Sequence, residues 1–152
     1  MSDLTDLYQE VILDHSRHPH HFGPLPGADR QAKGYNPLCG DQVTVYLKMD
    51  GDTISDIRFE GNGCAISKSS ASVMTDMVIG KRLPEVKNLF DKFQHMVTGK
   101  ADTSAVADDE EKLAVFSGVA EFPTRVKCAV LAWHTLKSAL EDKNPKSPAT
   151  TE

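Results

Sequence analysis

The stretch "DQVTVYLKMDGDTISDIRFE", Asp41 to Glu60, decides the fold. Val43, Val45 and Leu47 alternate with polar or smaller residues, the period of a strand with one covered face. "MDGD" is a hairpin signal built on Asp50-Gly51. "TISDIRFE" then supplies the partner strand, with Ile54, Ile57 and Phe59 apolar. Ile54 and Ile57 differ in parity, and a β-bulge is one cause of such a slip.

Helical patterns flank this hairpin. Leu4, Leu7, Val11 and Ile12 fall at helical spacing, so Ser2 to about Arg17 reads as a helix that Pro19 stops. "HPHHFGPLPGADRQAKGYNP" is rich in proline and glycine and reads as loop. From Cys64 onward Ile66, Val73 and Met77 share a helical face, with Gly80 placed as a C-terminal cap. A further helix starts near Pro84, which suits a first turn. Val86, Leu89, Phe90, Phe93 and Val97 form its stripe, and Gly99 closes it. The carboxylates of Asp108 to Glu111 favour a short helix start, because negative charge suits a helix N-terminus, and Gly118 ends it. The last helix opens at Pro123 and runs to about Asp142. "KNPKSPATTE" carries two prolines and no apolar cluster and reads as a disordered tail. The chain is thus one domain over residues 1–142 with a tail over 143–152, and it holds no internal repeat.

Bulk properties narrow the function. The 152 residues are the size of one domain, and 39% hydrophobic residues suffice for one core. A net charge of −5 argues against nucleic-acid binding, since phosphate needs a basic face. No apolar run approaches the length of a membrane span. The start, "MSDLTDLYQE", is acidic and polar, unlike a secretory signal, so a cytoplasmic location is expected. Thiols stay reduced there, and three cysteines do not suggest a disulfide framework.

Those three are Cys39, Cys64 and Cys128, each at an element boundary. Cys39 lies in the loop before the first strand of the hairpin, in "NPLCGDQ". Cys64 lies where a strand hands over to a helix, in "GNGCAIS". Cys128 lies in the first turns of the last helix. Helix N-termini favour the thiolate at Cys64 and Cys128. Cys39 and Asp41 are two apart, so in extended chain both point the same way, with Gly40 free to bend between them. Three thiolates and one carboxylate would make a four-ligand set suited to tetrahedral zinc, and one more exchangeable than four cysteines. The spacing is wide, no CxxC occurs, and free cysteine is commonly just a small buried hydrophobe. Spacing alone leaves both readings open.

"NPLCGDQ", "GNGCAIS" and "FPTRVKCAVLAWHTL" together resemble the SufU branch of the IscU/NifU N-terminal family of iron–sulfur assembly proteins. "LYQEVILDHSRHPHHFG" is similar to that family's first helix and following loop, and the resemblance reaches to about Leu140. It implies an α+β fold: a small three-stranded antiparallel sheet with helices packed on one face and a loop-borne zinc site at one end. The third strand falls near Ala32 to Tyr35. By motif match Cys39, Asp41, Cys64 and Cys128 are the implied ligands of Zn2+, and Cys39 is the implied sulfur acceptor. In IscU scaffolds a histidine directly precedes the last cysteine, and here that position is Lys127. SufU-type chains also carry an insertion before the last helix, matched here by "HMVTGKADTSAVADDEEKLAVFSG". Both features imply a zinc-dependent sulfurtransferase. It would accept persulfide sulfur from a pyridoxal-phosphate cysteine desulfurase and serve downstream iron–sulfur assembly proteins. Docking is expected to bring a replacement ligand and free Cys39 to react. The alternatives are an iron–sulfur scaffold using the same side chains, and a structural zinc domain that only binds partners.

Other residues carry blander expectations. His15, His18, His20 and His21 crowd "HSRHPHH", a solvated helix end and loop in preference to a second metal site, with docking as a further role. Arg125, one turn before Cys128, is either a counter-charge to the metal site or a surface arginine. Asp14 is not expected to be catalytic. Asp108, Asp109, Glu110 and Glu111 are expected to be a solvated helix start. Trp133 and Phe122 are expected to anchor the core or an interface.

Overall fold

In a computed structural model of the chain, strand β2 (Asp41–Asp50) runs through the middle of the sheet. The structure describes residues 3–37, 40–98, 115–116, 119, 123–141 and 149–150. Val43, Val45 and Leu47 of β2 point into the core, as their alternation requires. β3 (Thr53–Asn62) pairs antiparallel with β2 across a turn in which Gly51 takes φ +63°, the left-handed backbone a two-residue hairpin demands. Lys48 faces Asp56 while Met49 faces Ile54, which leaves Ser55 without an opposite number. This bulge resets the parity, so Ile54 and Ile57 both turn inward and are fully buried.

β1 (Arg30–Asn36) pairs antiparallel with the other side of β2 and is longer than the four residues expected. The sheet is therefore three-stranded and antiparallel, in the order β3-β2-β1. A two-residue strand β4 (Ala149–Thr150) adds parallel to the edge of β1. That pair belongs to the segment expected as a tail, whose residues 142–148 lie outside the described ones.

Among the described residues four helices complete the α+β fold: α1 (Asp3–Arg17), α2 (Ala65–Val78), α3 (Leu83–Val97) and α4 (Pro123–Glu141). α4 lies across β1 and β2, and α2 packs between α1, α4 and β3. α2 is buried on nearly every side, so its serines must find partners inside the protein. Ser70 Oγ–H does so by donating to the Ala129 carbonyl of α4 at 2.5 Å. α2 stops at Gly80, whose φ of +79° no longer continues a helix. α3 carries Pro84 in its first turn and buries Val86, Leu89, Phe93 and Val97. Phe93 stacks on Trp133 of α4 at 4.8 Å between ring centres, and Phe116 meets Phe93 edge-on. The remainder of the helix expected from Asp108 to Gly118, and Phe122, lie outside the described residues. No described helix is long and apolar enough to cross a membrane.

This packing brings three chain ends to one edge of the sheet: the end of β1, the start of β2, and the exit of β3 into α2. α4 reaches the same edge because Gly34 of β1 has no side chain. A Cβ there would strike Thr135 Oγ1 and come within 3.2 Å of Leu131. Gly34→Ala is therefore expected to lower stability by about 1–3 kcal/mol, the usual cost of overpacking. Urea unfolding should show a lower midpoint at an unchanged slope.

Candidate metal centre

Asp41 opens β2 and is only 2% exposed. Its carboxylate accepts a hydrogen bond at Oδ1 from the Cys64 amide, at 3.0 Å, and Cys64 Sγ lies 3.8 Å from Oδ2. The connection from β3 to α2 passes this closely because it is made of glycines. At Gly61, φ is +148° and a Cβ would run into the Gln42 carbonyl. At Gly63 a Cβ would stand 3.1 Å from Asp41 Oδ1. "GNG" is thus the path that lets Cys64 reach the carboxylate.

Cys64 is the N-cap of α2, and its sulfur accepts the Ser67 amide at 3.4 Å. Cys128 approaches from α4, where it is buried, and its sulfur accepts from Asn36 Nδ2 at 3.7 Å. One ligand atom each from Asp41, Cys64 and Cys128 lie within 4.8 Å of one another. Cys39 is outside the described residues. On either side of it, Asn36 and Asp41 pair across β1 and β2, and Gly40 turns at φ +74° with its amide on the Asn36 carbonyl.

Arg125, exposed at the start of α4, is the nearby positive charge. Thiolate charge at Cys64, with a hydrogen bond and charge from Cys128, holds its guanidinium pKa above the ordinary arginine value. Its exposure suits a surface arginine, and its interaction with the two sulfurs suits a counter-charge, so both readings of this residue stand. Asn36 and Ser67, which also contact the sulfurs, carry no sequence signal beyond their neighbourhood. Asn36 stands before a proline in a loop-like run, and Ser67 is one of several serines in α2.

A buried carboxylate and two sulfurs that face one another are costly if they carry charge without a cation. An ion removes that cost. Two sulfurs and a carboxylate that converge within 4.8 Å suit a borderline-soft divalent ion of the zinc type, and a fourth ligand would complete a tetrahedron. The bland reading of Cys128 as a mere buried hydrophobe does not explain why its sulfur points at Asp41 and Cys64.

Comparison with known proteins agrees with this frame. The chain belongs to the family of the NifU-like N terminal domain, which matches residues 7–129. It is 45% identical over 141 residues to the iron–sulfur cluster assembly scaffold protein IscU of Streptococcus pyogenes, covering 93% of this chain and 87% of that one. It is 39% identical over 140 residues to the zinc-dependent sulfurtransferase SufU of Bacillus subtilis, covering 91% and 92%. Among solved structures, a protein assigned as an iron–sulfur assembly scaffold of the SUF system of Fervidobacterium islandicum superposes with a TM-score of 0.77 at 39% identity. That match covers 86% of this chain and 94% of the other. Relatives named IscU and relatives named SufU are both near, so kinship establishes iron–sulfur assembly as the setting and leaves the division of labour within it to chemistry.

Asp41→Asn keeps the shape and a Cys64 amide contact but removes the charge. Zinc affinity, read by chelator competition, is expected to fall at least about tenfold, the loss seen even for partners outside the coordination sphere. Thermal unfolding of the metal-stripped variant should be no earlier than that of the stripped parent, because a buried charge has gone.

Proposed function

We propose that this chain is a zinc-binding sulfur carrier of the cytoplasm, a sulfurtransferase that accepts persulfide sulfur from a pyridoxal-phosphate cysteine desulfurase for iron–sulfur assembly. The observation that carries the reading is the convergence of Asp41, Cys64 and Cys128 beside Arg125 at a sheet edge. Cys39 stands two residues before Asp41 in the sequence, and it is assigned here as the fourth ligand and the sulfur acceptor. Lys127, where IscU scaffolds resemble one another in a histidine, supports the carrier over the scaffold.

Bound zinc would keep the coordinated thiols deprotonated at neutral pH. The chain's own groups do the rest. Asp41 and Cys128 are buried and Cys64 is half-buried, and these three would hold the ion while Cys39 reacts. The Cys39 thiolate attacks the outer sulfur of the desulfurase persulfide. A new S–S bond forms at Cys39, the old S–S bond breaks, and the desulfurase cysteine leaves as a thiolate. One disulfide-type bond replaces another, so the step needs no oxidant. Arg125 offers its cation beside the sulfurs, where negative charge on the incoming persulfide would gather.

The second reading, a scaffold that assembles a cluster on the same side chains, is favoured by the 45% identity to a protein named IscU. Purified protein separates the two. A colourless chain with zinc supports the carrier; a brown one with iron and labile sulfide supports the scaffold. Alanine release by the desulfurase should rise when this chain is added. It should return to the basal rate with Cys39→Ser, which should also carry no persulfide sulfur. Stimulation that survives Cys39→Ser would refute the assignment of the acceptor.

A further inference from the structure

The structure adds to the histidine-rich segment a residue that the sequence places far from it. Asp76, in the last turn of α2, accepts a hydrogen bond from His20 Nδ1 at 2.6 Å and has His21 Nδ1 3.5 Å from its other oxygen. His15, at the end of α1, has its ring 4.5 Å from that of His20 and its Nδ1 2.7 Å from Ser72 Oγ. One ligand atom each from His15, His20 and Asp76 lie within 4.8 Å of one another. We propose that His15, His20 and Asp76 form a second metal site, for a first-row divalent ion of the zinc class.

The arrangement meets what such a site requires. Two imidazoles and one carboxylate are ligands for zinc and its neighbours in the first row, and they contain no thiolate to select a softer ion. Ligand atoms around an ion at bond lengths near 2.0–2.1 Å stand roughly 3.4 Å apart. The three atoms would adopt that spacing on binding, with the His20–Asp76 hydrogen bond opening to admit the ion. Ser72 Oγ can accept Nδ1–H of His15, a contact of the kind that fixes the tautomer of a ligating histidine.

The backbone is already held in place. The His20 amide donates to Ser72 Oγ at 2.8 Å. The His21 carbonyl accepts from the Phe59 amide at 3.0 Å, and the Gly23 amide donates to the Phe59 carbonyl at 2.8 Å. The loop is thereby pinned to α2 on one side and β3 on the other. His21 itself has φ +55°, the one non-glycine positive φ among the described residues, and this turn aims its ring at Asp76 and Thr75. His20 is half-exposed, so water can reach the ion and fill the remaining coordination positions.

This site is separate from the thiolate cluster. Cys64 caps the N-terminus of α2 and Asp76 lies twelve residues along it, roughly 18 Å at 1.5 Å per residue. An ion there would clamp α1, the loop and α2 together, adding to the His20–Asp76 hydrogen bond, the His21 contacts with Thr75 and Asp76, and the Ser72 contacts.

The test uses the full chain loaded with one equivalent of zinc, to which Co2+ is added. A second equivalent should bind with weak visible ligand-field bands and no sulfur-to-cobalt charge-transfer band. Its affinity should fall at least about tenfold in Asp76→Asn and in His20→Ala, and stay unchanged in His18→Ala. Should a variant fold poorly by circular dichroism, the parent protein still decides: Co2+ should broaden the His15 and His20 ring signals in NMR and spare those of His95. Absence of a second equivalent, binding indifferent to Asp76 and His20, or broadening that misses both rings overturns the proposal. A charge-transfer band in the zinc-loaded protein would mean cobalt has entered the thiolate cluster. That result counts against zinc occupancy there, and the second site then stands or falls on the ring signals.

Discussion

A carboxylate withdrawn from water holds the functional edge of this protein together. Asp41 meets the Cys64 amide and lies against two sulfurs, one from the entrance of α2 and one from α4. A helix N-terminus shares the charge of an acid in that place, and a cation held by the same groups would share it further. The same arrangement explains why the neighbouring chain is built of residues without bulk. Glycines at 61 and 63 let the β3–α2 connection lie against β2, and Gly34 lets α4 lie against β1. Stability and chemistry are therefore joined at the sheet edge: what brings the elements into contact also brings the ligands together.

α2 links the two candidate metal centres. It is buried on almost every side and carries serines where an ordinary core helix would carry aliphatic residues. Ser70 ties it to α4, and Ser72 ties it to the loop after α1. Cys64 at one end faces soft, sulfur-rich chemistry, whereas Asp76 at the other faces imidazoles. The two ends thus present ligand sets that differ in softness, which is the property that sorts divalent ions where raw affinity does not.

Much of the fold was legible because local signals and global packing agree. The β2–β3 hairpin followed from alternation and Asp50-Gly51. Even the parity slip of Ile54 and Ile57 had its cause in the bulge at Ser55. α4 begins at Pro123, and α3 begins one residue before Pro84. β1 was not legible from pattern, because "RQAKGYN" has few apolar residues; its buried face is Ala32, Gly34 and Asn36, and it came only through family resemblance. α2 was read as having one apolar face and is instead enclosed, since serines can be buried when their hydroxyls find backbone partners.

The amino-acid order alone determined the β2–β3 hairpin, the approximate starts of the four helices, and which residue types are available for chemistry: three thiols, an acid two residues from one of them, and a knot of histidines. Periodicity, capping and turn preference act over a few residues, so a linear reading recovers them. Only the tertiary structure decided that Asp41, Cys64 and Cys128 share one point, that Arg125 stands beside the sulfurs, and that Asp76 turns the histidine knot into a cluster. Those groups come from strands and helices far apart in the chain, and their distances are set by how whole elements pack, which no short stretch of sequence encodes.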